Sequence, residues 1–302
     1  MAVESACRLY VILARDGRSA VVFRRGPSGR VCLLRWWLGS DTFEIGQWLI
    51  GRIYERRSDL SPDGDLLVYF AAVHKTPLAS WTAVSRPPYL TALALWPKGD
   101  CWGGGGRFLS RHHVLINHSD DKLALADGFL LPSSVRVEPM GERAGAGEDN
   151  PICHDRMVRD GWVCTHPGQA SAYRSSGPAR WILDVSERYE RVQPKPSSAG
   201  PRARLERRLV AVGVTDGPWY DERFSVLSAD GSTLRDLGRC DWADWQSNGD
   251  LLIACEGRIL RLSAAAAAQA SAVPLAGARE LIALAPMQFE AREAPGWARH
   301  WR

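Results

Sequence analysis

The chain has 302 residues, 45% of them hydrophobic and 24% charged, with a formal net charge of +4. These values belong to a globular protein that buries a core without metals or disulfides, and they exclude the concentrated basic face of a nucleic-acid binder. The charged residues Glu4, Arg8, Arg15 and Asp16 exclude a secretory leader, and the longest uncharged run, 262–278, is Ala-, Ser- and Gln-rich and too polar to span a bilayer.

Taken in chain order, the first element is an apolar strand over 8–14, "RLYVILA". A turn on Asp16 and Gly17 leads into "SAVVF", and "VCLLRW" at 31–36 reads as the strand after it. "SPDGDLLVYF" at 61–70 repeats the pattern with Asp63 and Gly64 in the turn, followed by "TALALW" at 91–96. Four consecutive glycines at 103–106 read as a flexible connection, because no Lys-Ser or Lys-Thr pair follows to make a phosphate-binding loop. "SRHHVLIN" (110–117) and "KLALAD" (122–127) are the next strands. An irregular insertion spans 138–156, and the Asp160–Gly161 turn then opens "WVC". "RWILDV" (180–185), a second insertion over 193–204, "LERRLVAVGV" (205–214) and "RFSVLS" (223–228) follow. Asn248 and Gly249 turn into "DLLIAC", "RILRLS" follows at 258–263, and "RELIALAP" at 279–286 is the last strand. Helical periodicity with capping signals is absent, and a short poly-Ala patch at 264–268 supports a turn or two at most. The chain reads as all-β.

Glycines that open apolar strands stand at 17, 64, 161 and 249, with gaps of 47, 97 and 88 residues. The second and third gaps are each about twice the first, so units without the glycine fall at 110–117 and 205–214. Six units of roughly 40–50 residues match the period of four-stranded propeller blades, and seven blades are the alternative. Asp-Gly and Asn-Gly suit these turns because Gly accepts positive φ without steric cost and the acid or amide bonds nearby backbone.

"RRSDLSPDGDLLVYFA" (56–71) and "ADWQSNGDLLIACEGRILRL" (243–262) resemble the WD40-like repeat of TolB, tricorn protease and prolyl oligopeptidase propellers. The resemblance implies a single β-propeller over 1–302, and no particular activity. A ring needs closure, and the expectation is that strands 8–14 and 279–286 pair within one blade.

Tryptophan is over-represented, with 13 residues. Adjacent strand residues point to opposite faces, so Trp36 and Trp37 face different layers. Trp37, Trp219, Tyr220, Trp242 and Trp245 are the candidate partner contacts, since Trp and Tyr dominate recognition hot spots. Cys153, His154, Cys164 and His166 are a weak zinc candidate at a spacing that matches no common finger or ribbon. No nucleophile elbow is present, and the acids of the turns serve geometry. Seven scattered cysteines, an odd number, point to free thiols and a cytoplasmic setting. The expected function is a non-catalytic scaffold subunit that presents loops to a protein partner, with no cofactor, nucleic acid or membrane. The alternative is a metal-dependent hydrolase or lactonase with a composite site in a central channel.

Overall fold

The computed structural model describes residues 7–26, 29–142, 144–175, 181–194, 202–213 and 219–301. Among them the chain is all-β, with five sheets. It divides into two compact units, Met1–Arg156 with Pro286–Arg302, and Met157–Ala285.

In the first unit, β1 (Arg8–Leu13), β2 (Ser19–Arg25), β3 (Arg30–Trp37) and β4 (Thr42–Ile50) form a four-stranded antiparallel meander. A second meander comprises β5 (Arg52–Leu60), β6 (Leu67–Ala72), β7 (Ser80–Ser85) and β8 (Ala92–Pro97). A three-stranded sheet follows from β9 (Gly106–Ser110), β10 (His113–Ile116) and β11 (Arg136–Pro139), in which β10 and β11 run parallel.

Strand β6, "LVYFAA", is buried at every position because each of its faces meets a different sheet. Leu67, Tyr69 and Ala71 pack with Val21, Phe23 and Leu33 of the first sheet. Val68 packs with Phe108, Val114 and Ile116 of the third. The middle sheet is thus covered on both faces, which explains its continuous apolar run where a half-exposed strand would alternate. Each large apolar side chain buried in this way contributes roughly 1.5–3 kcal/mol.

The second unit holds a six-stranded sheet and a four-stranded one. The larger contains β12 (Val163–His166), β13 (Ala170–Ser175), β14 (Trp181–Val192), β15 (Arg204–Val212), β16 (Tyr220–Leu227) and β17 (Thr233–Arg239). Its long strand β14 pairs with β12, β13 and β15. The smaller is a meander of β18 (Trp242–Trp245), β19 (Leu251–Cys255), β20 (Arg258–Leu262) and β21 (Arg279–Ala283).

Four turns share one hydrogen-bond pattern. The glycine N–H donates to the carbonyl three residues earlier, at Gly17→Ala14, Gly64→Ser61, Gly231→Ser228 and Gly249→Gln246. The amide after each glycine donates to the Asp or Asn side chain before it: Arg18 to Asp16, Asp65 to Asp63, Ser232 to Asp230 and Asp250 to Asn248. The copy at Ser228–Ser232 joins β16 to β17 and lies outside the glycine series read from spacing. At Gly64 a Cβ would stand 2.3 Å from the Ser19 hydroxyl, so close packing as well as a φ of +74° requires glycine there.

Several expectations are corrected. Asp160 and Gly161 do not form a strand-to-strand turn; they end a helix, α1 (Asn150–Arg159). Gly161 N–H bonds Val158 O and Trp162 N–H bonds Met157 O, the two bonds of a Schellman cap. The insertion 138–156 therefore carries the end of β11 and most of α1, and Pro151 in the first turn is its helix-start signal. "KLALAD" is not a strand: Leu123 and Leu125 pack on the core beside Trp96, and Ala126 N–H makes a single bond to Leu95 O. The units expected at Gly161 and at 205–214 share one sheet, through β12 and β15. Within its own sheet β1 bonds β2, and within its own sheet β21 bonds β20. Of the second insertion, 193–204, residues 195–201 lie outside the described residues.

Candidate interaction surface

At the end of the first three sheets where the Asp-Gly turns lie, one exposed indole is held by a string of charges. Residues 35 and 37 of β3 share a face because strand side chains alternate. The Arg35 guanidinium stacks on the Trp37 ring, 4.1 Å from its centroid. Arg35 is buried, whereas Trp37 is 39% exposed. Arg35 also donates to Asp65 at 3.1 Å, and Arg111, in the β9–β10 turn, reaches Asp63 at 3.1 Å and Asp65 at 3.5 Å. The neighbouring Trp36 points the other way, is fully buried and stacks on Phe43 with centroids 5.2 Å apart.

These contacts give the acids of the Ser61–Asp65 turn a mechanical role. Burial pushes the Asp63 carboxyl up, but the Ser61 hydroxyl, the Asp65 amide and Arg111 outweigh it and hold the group below the ordinary carboxylate value. The turn thereby ties Arg35 of the first sheet to Arg111 of the third. A cation–π contact with one buried partner contributes about 0.5–2 kcal/mol. Its larger effect is to restrict the indole to one orientation. Arg35 and Arg111 escaped the sequence reading, although the Arg-x-Trp alternation on β3 was a usable signal.

The other candidates fall into different environments. Trp219 is 49% exposed and stands just before β16, beside Tyr220, which is half-buried at the first ladder position opposite Val212. Residues 217 and 218 of that loop lie outside the described residues. Trp242 and Trp245 are not contact residues: at 9% and 1% exposure both are packed inside β18. That strand is buried on both faces, so its alternation turns neither indole to solvent. Trp245 Nε1–H donates to Arg191 O at 3.0 Å, and Trp245 N–H to Asp244 at 2.7 Å. Burial raises the Asp244 carboxyl against the stabilising charge of Arg191.

Cys153 and His154 lie in α1, and Cys164 and His166 in β12. No group of three or more His, Cys, Asp or Glu side chains among the described residues is placed to hold a metal ion. Cys32, Cys101, Cys153, Cys164, Cys240 and Cys255 form no disulfide. No helix among the described residues is long and apolar enough to cross a membrane.

The four glycines at 103–106 are buried, and they are no flexible connection. An added Cβ would stand 2.6 Å from Gly145 O at Gly103, 2.4 Å from the Phe70 ring at Gly104 and 2.1 Å from Arg57 O at Gly105. The absence of side chains lets this backbone press against β5 and β6. Arg57 is 2% exposed and closes the cluster, bonding Asp149 at 2.5 Å, Cys101 O at 2.7 Å and Gly103 O at 2.6 Å. Gly105 N–H donates to Thr82 Oγ1 at 2.7 Å, and Thr82 lies 2.8 Å from His118 Nε2. His118 Nδ1 bonds Lys122 O at 3.0 Å, so Nδ1 carries the proton and Nε2 accepts from Thr82. Burial pushes the His118 imidazole down to about 4. These groups satisfy one another inside the core and present no reactive atom to solvent.

No family model matches the chain, and no curated protein matches it. Among solved structures, hydrazine synthase of Kuenenia stuttgartiensis aligns over 87% of this chain and 78% of its own, at 9% identity and a TM-score of 0.26. Prolyl oligopeptidase B from Galerina marginata aligns over 92% of this chain at 9% identity and a TM-score of 0.28. This chain spans 42% of the latter's length.

Proposed function

We propose that the protein is a non-catalytic interaction module that presents Trp37 and its arginine–carboxylate frame to a protein partner. The observation that carries the reading is the Arg35–Trp37 stack at 4.1 Å, with the exposed Trp37 following a buried run over 31–36 of the same strand. Trp and Arg are the residue types enriched at binding hot spots, and an anchor already held in its bound orientation loses little freedom on association. Trp219 is a further exposed indole, on the other unit. The scaffold is a propeller-type arrangement of antiparallel sheets in a cytoplasmic protein. The Asp-Gly turns bring Arg35, Asp63, Asp65 and Arg111 together on it.

The test is affinity purification from the native cell with the intact protein and with Trp37→Ala, followed by quantitative mass spectrometry. The reading expects a defined set of proteins that the substitution depletes at least tenfold. Identical co-purifying sets would overturn it. Metal analysis of the same samples separates it from the hydrolase alternative, because a stoichiometric divalent ion favours the enzyme.

A further inference from the structure

The opposite end of the first two sheets carries a cleft of about 500 Å³ whose charged lining among the described residues is basic. Arg8 opens β1, Arg25 closes β2, Arg30 opens β3, Arg52 opens β5 and His74 follows β6, so five chain segments bring cationic or imidazole side chains to one place. No carboxylate belongs to the lining among the described residues. Arg8 and Arg25 stand directly opposite each other in the β1–β2 ladder. Glu55 meets Arg25 from outside the lining.

The site is also built firmly. The Arg52 guanidinium lies 4.4 Å from the Tyr54 ring centroid, and Arg30 lies 4.9 Å from that of Phe289. Beneath the β2–β3 hairpin the buried Arg24 donates to Gly26 O and, at 3.0 Å, to Met287 O. Gly51 N–H bonds Gly29 O at 2.7 Å, which ties the hairpin to the start of β5. A Cβ on Gly29 would meet nothing within 4 Å, so Gly29 borders open space.

We propose that this cleft binds a soluble small molecule carrying two or more linked phosphate groups, such as a nucleoside di- or triphosphate. Planar guanidinium forks match phosphate oxygens bidentately. The cleft volume lies within the range of small-molecule sites and exceeds what a lone phosphate fills. This inference is independent of the Trp37 surface, which lies at the other strand ends.

Isothermal titration calorimetry in magnesium-free buffer at low salt tests it, with sodium pyrophosphate and ATP as probes and orthophosphate and citrate as comparisons. Pyrophosphate and ATP are expected to bind at least tenfold more tightly than orthophosphate or citrate. Arg30→Gln and Arg52→Gln are each expected to weaken them at least tenfold, while Arg258→Gln, in the second unit, leaves affinity unchanged. Arg30 and Arg52 are exposed, so thermal unfolding without ligand should match the unsubstituted protein. Equal affinity for pyrophosphate and orthophosphate overturns the proposal. So does a change below twofold in both cleft variants, or an oligonucleotide that binds where pyrophosphate does not.

Discussion

Protonating His118 should destabilise the protein, and the sign and size follow from its surroundings. Its imidazole is buried at 0% exposure, between Thr82 and the Lys122 carbonyl. Burial comes first in holding the imidazole down from 6.5 to about 4, and the nearby Lys98 and Lys122 add to it. The unfolded chain therefore takes up a proton that the native state refuses. The contribution to stability is complete above pH 6.5 and falls as pH drops toward about 4. At 1.36 kcal/mol per pKa unit the whole effect is about 3 kcal/mol, and roughly 2 kcal/mol of it is lost between pH 7 and pH 5. Urea unfolding of the intact protein and of His118→Gln at both pH values isolates the term. Asp63 and Asp100, whose carboxyls are held below their ordinary value, titrate in both proteins and cancel. His118→Gln is expected to lose about 2 kcal/mol less than the intact protein over that interval. Equal losses, or an imidazole that titrates near 6.5 by NMR, would refute the reasoning.

Other substitutions test the packing around the same core. Gly104→Ala places a methyl 2.4 Å from the Phe70 ring at a φ of +83°; overpacking and strain should together cost at least about 2 kcal/mol, read as a lower thermal midpoint. Arg57→Met leaves Asp149 without its buried guanidinium and should cost about 3–5 kcal/mol in urea unfolding. Gly161→Ala, at a φ of +92°, should weaken the α1 cap by roughly 1 kcal/mol, with loss of helical protection in hydrogen exchange. Trp37→Ala should change stability by no more than about 2 kcal/mol, because the indole it removes is partly solvated while its cation–π partner Arg35 is buried.

Much of the sheet structure was legible because strand periodicity and turn chemistry act locally. "GDLL" occurs at both 64–67 and 249–252, and both copies form the same Asx-Gly turn. Reading failed where tertiary context decides. Asn150–Arg159 resembles a loop by composition, and its helix is marked only by Pro151 and the Gly161 cap. "KLALAD" alternates like a strand, yet its one ladder bond, to Leu95 O, leaves it packed on a core edge. Trp242 and Trp245 fill the interior because β18 is covered on both faces, which no local pattern reveals. The Trp37 surface was half visible: the indole was foreseen, but the frame of Arg35, Asp65 and Arg111 joins residues up to 76 apart in the chain. The arginine cleft was invisible for the same reason, since Arg8, Arg25, Arg30 and Arg52 are unremarkable one at a time.

The measurement that bears most directly on the proposed function is the dissociation constant of the principal co-purifying protein for the intact chain and for Trp37→Ala. An indole that anchors the interface predicts a loss of about 2 kcal/mol or more, some thirtyfold in affinity. An affinity unchanged within twofold would contradict it and remove Trp37 as the recognition residue.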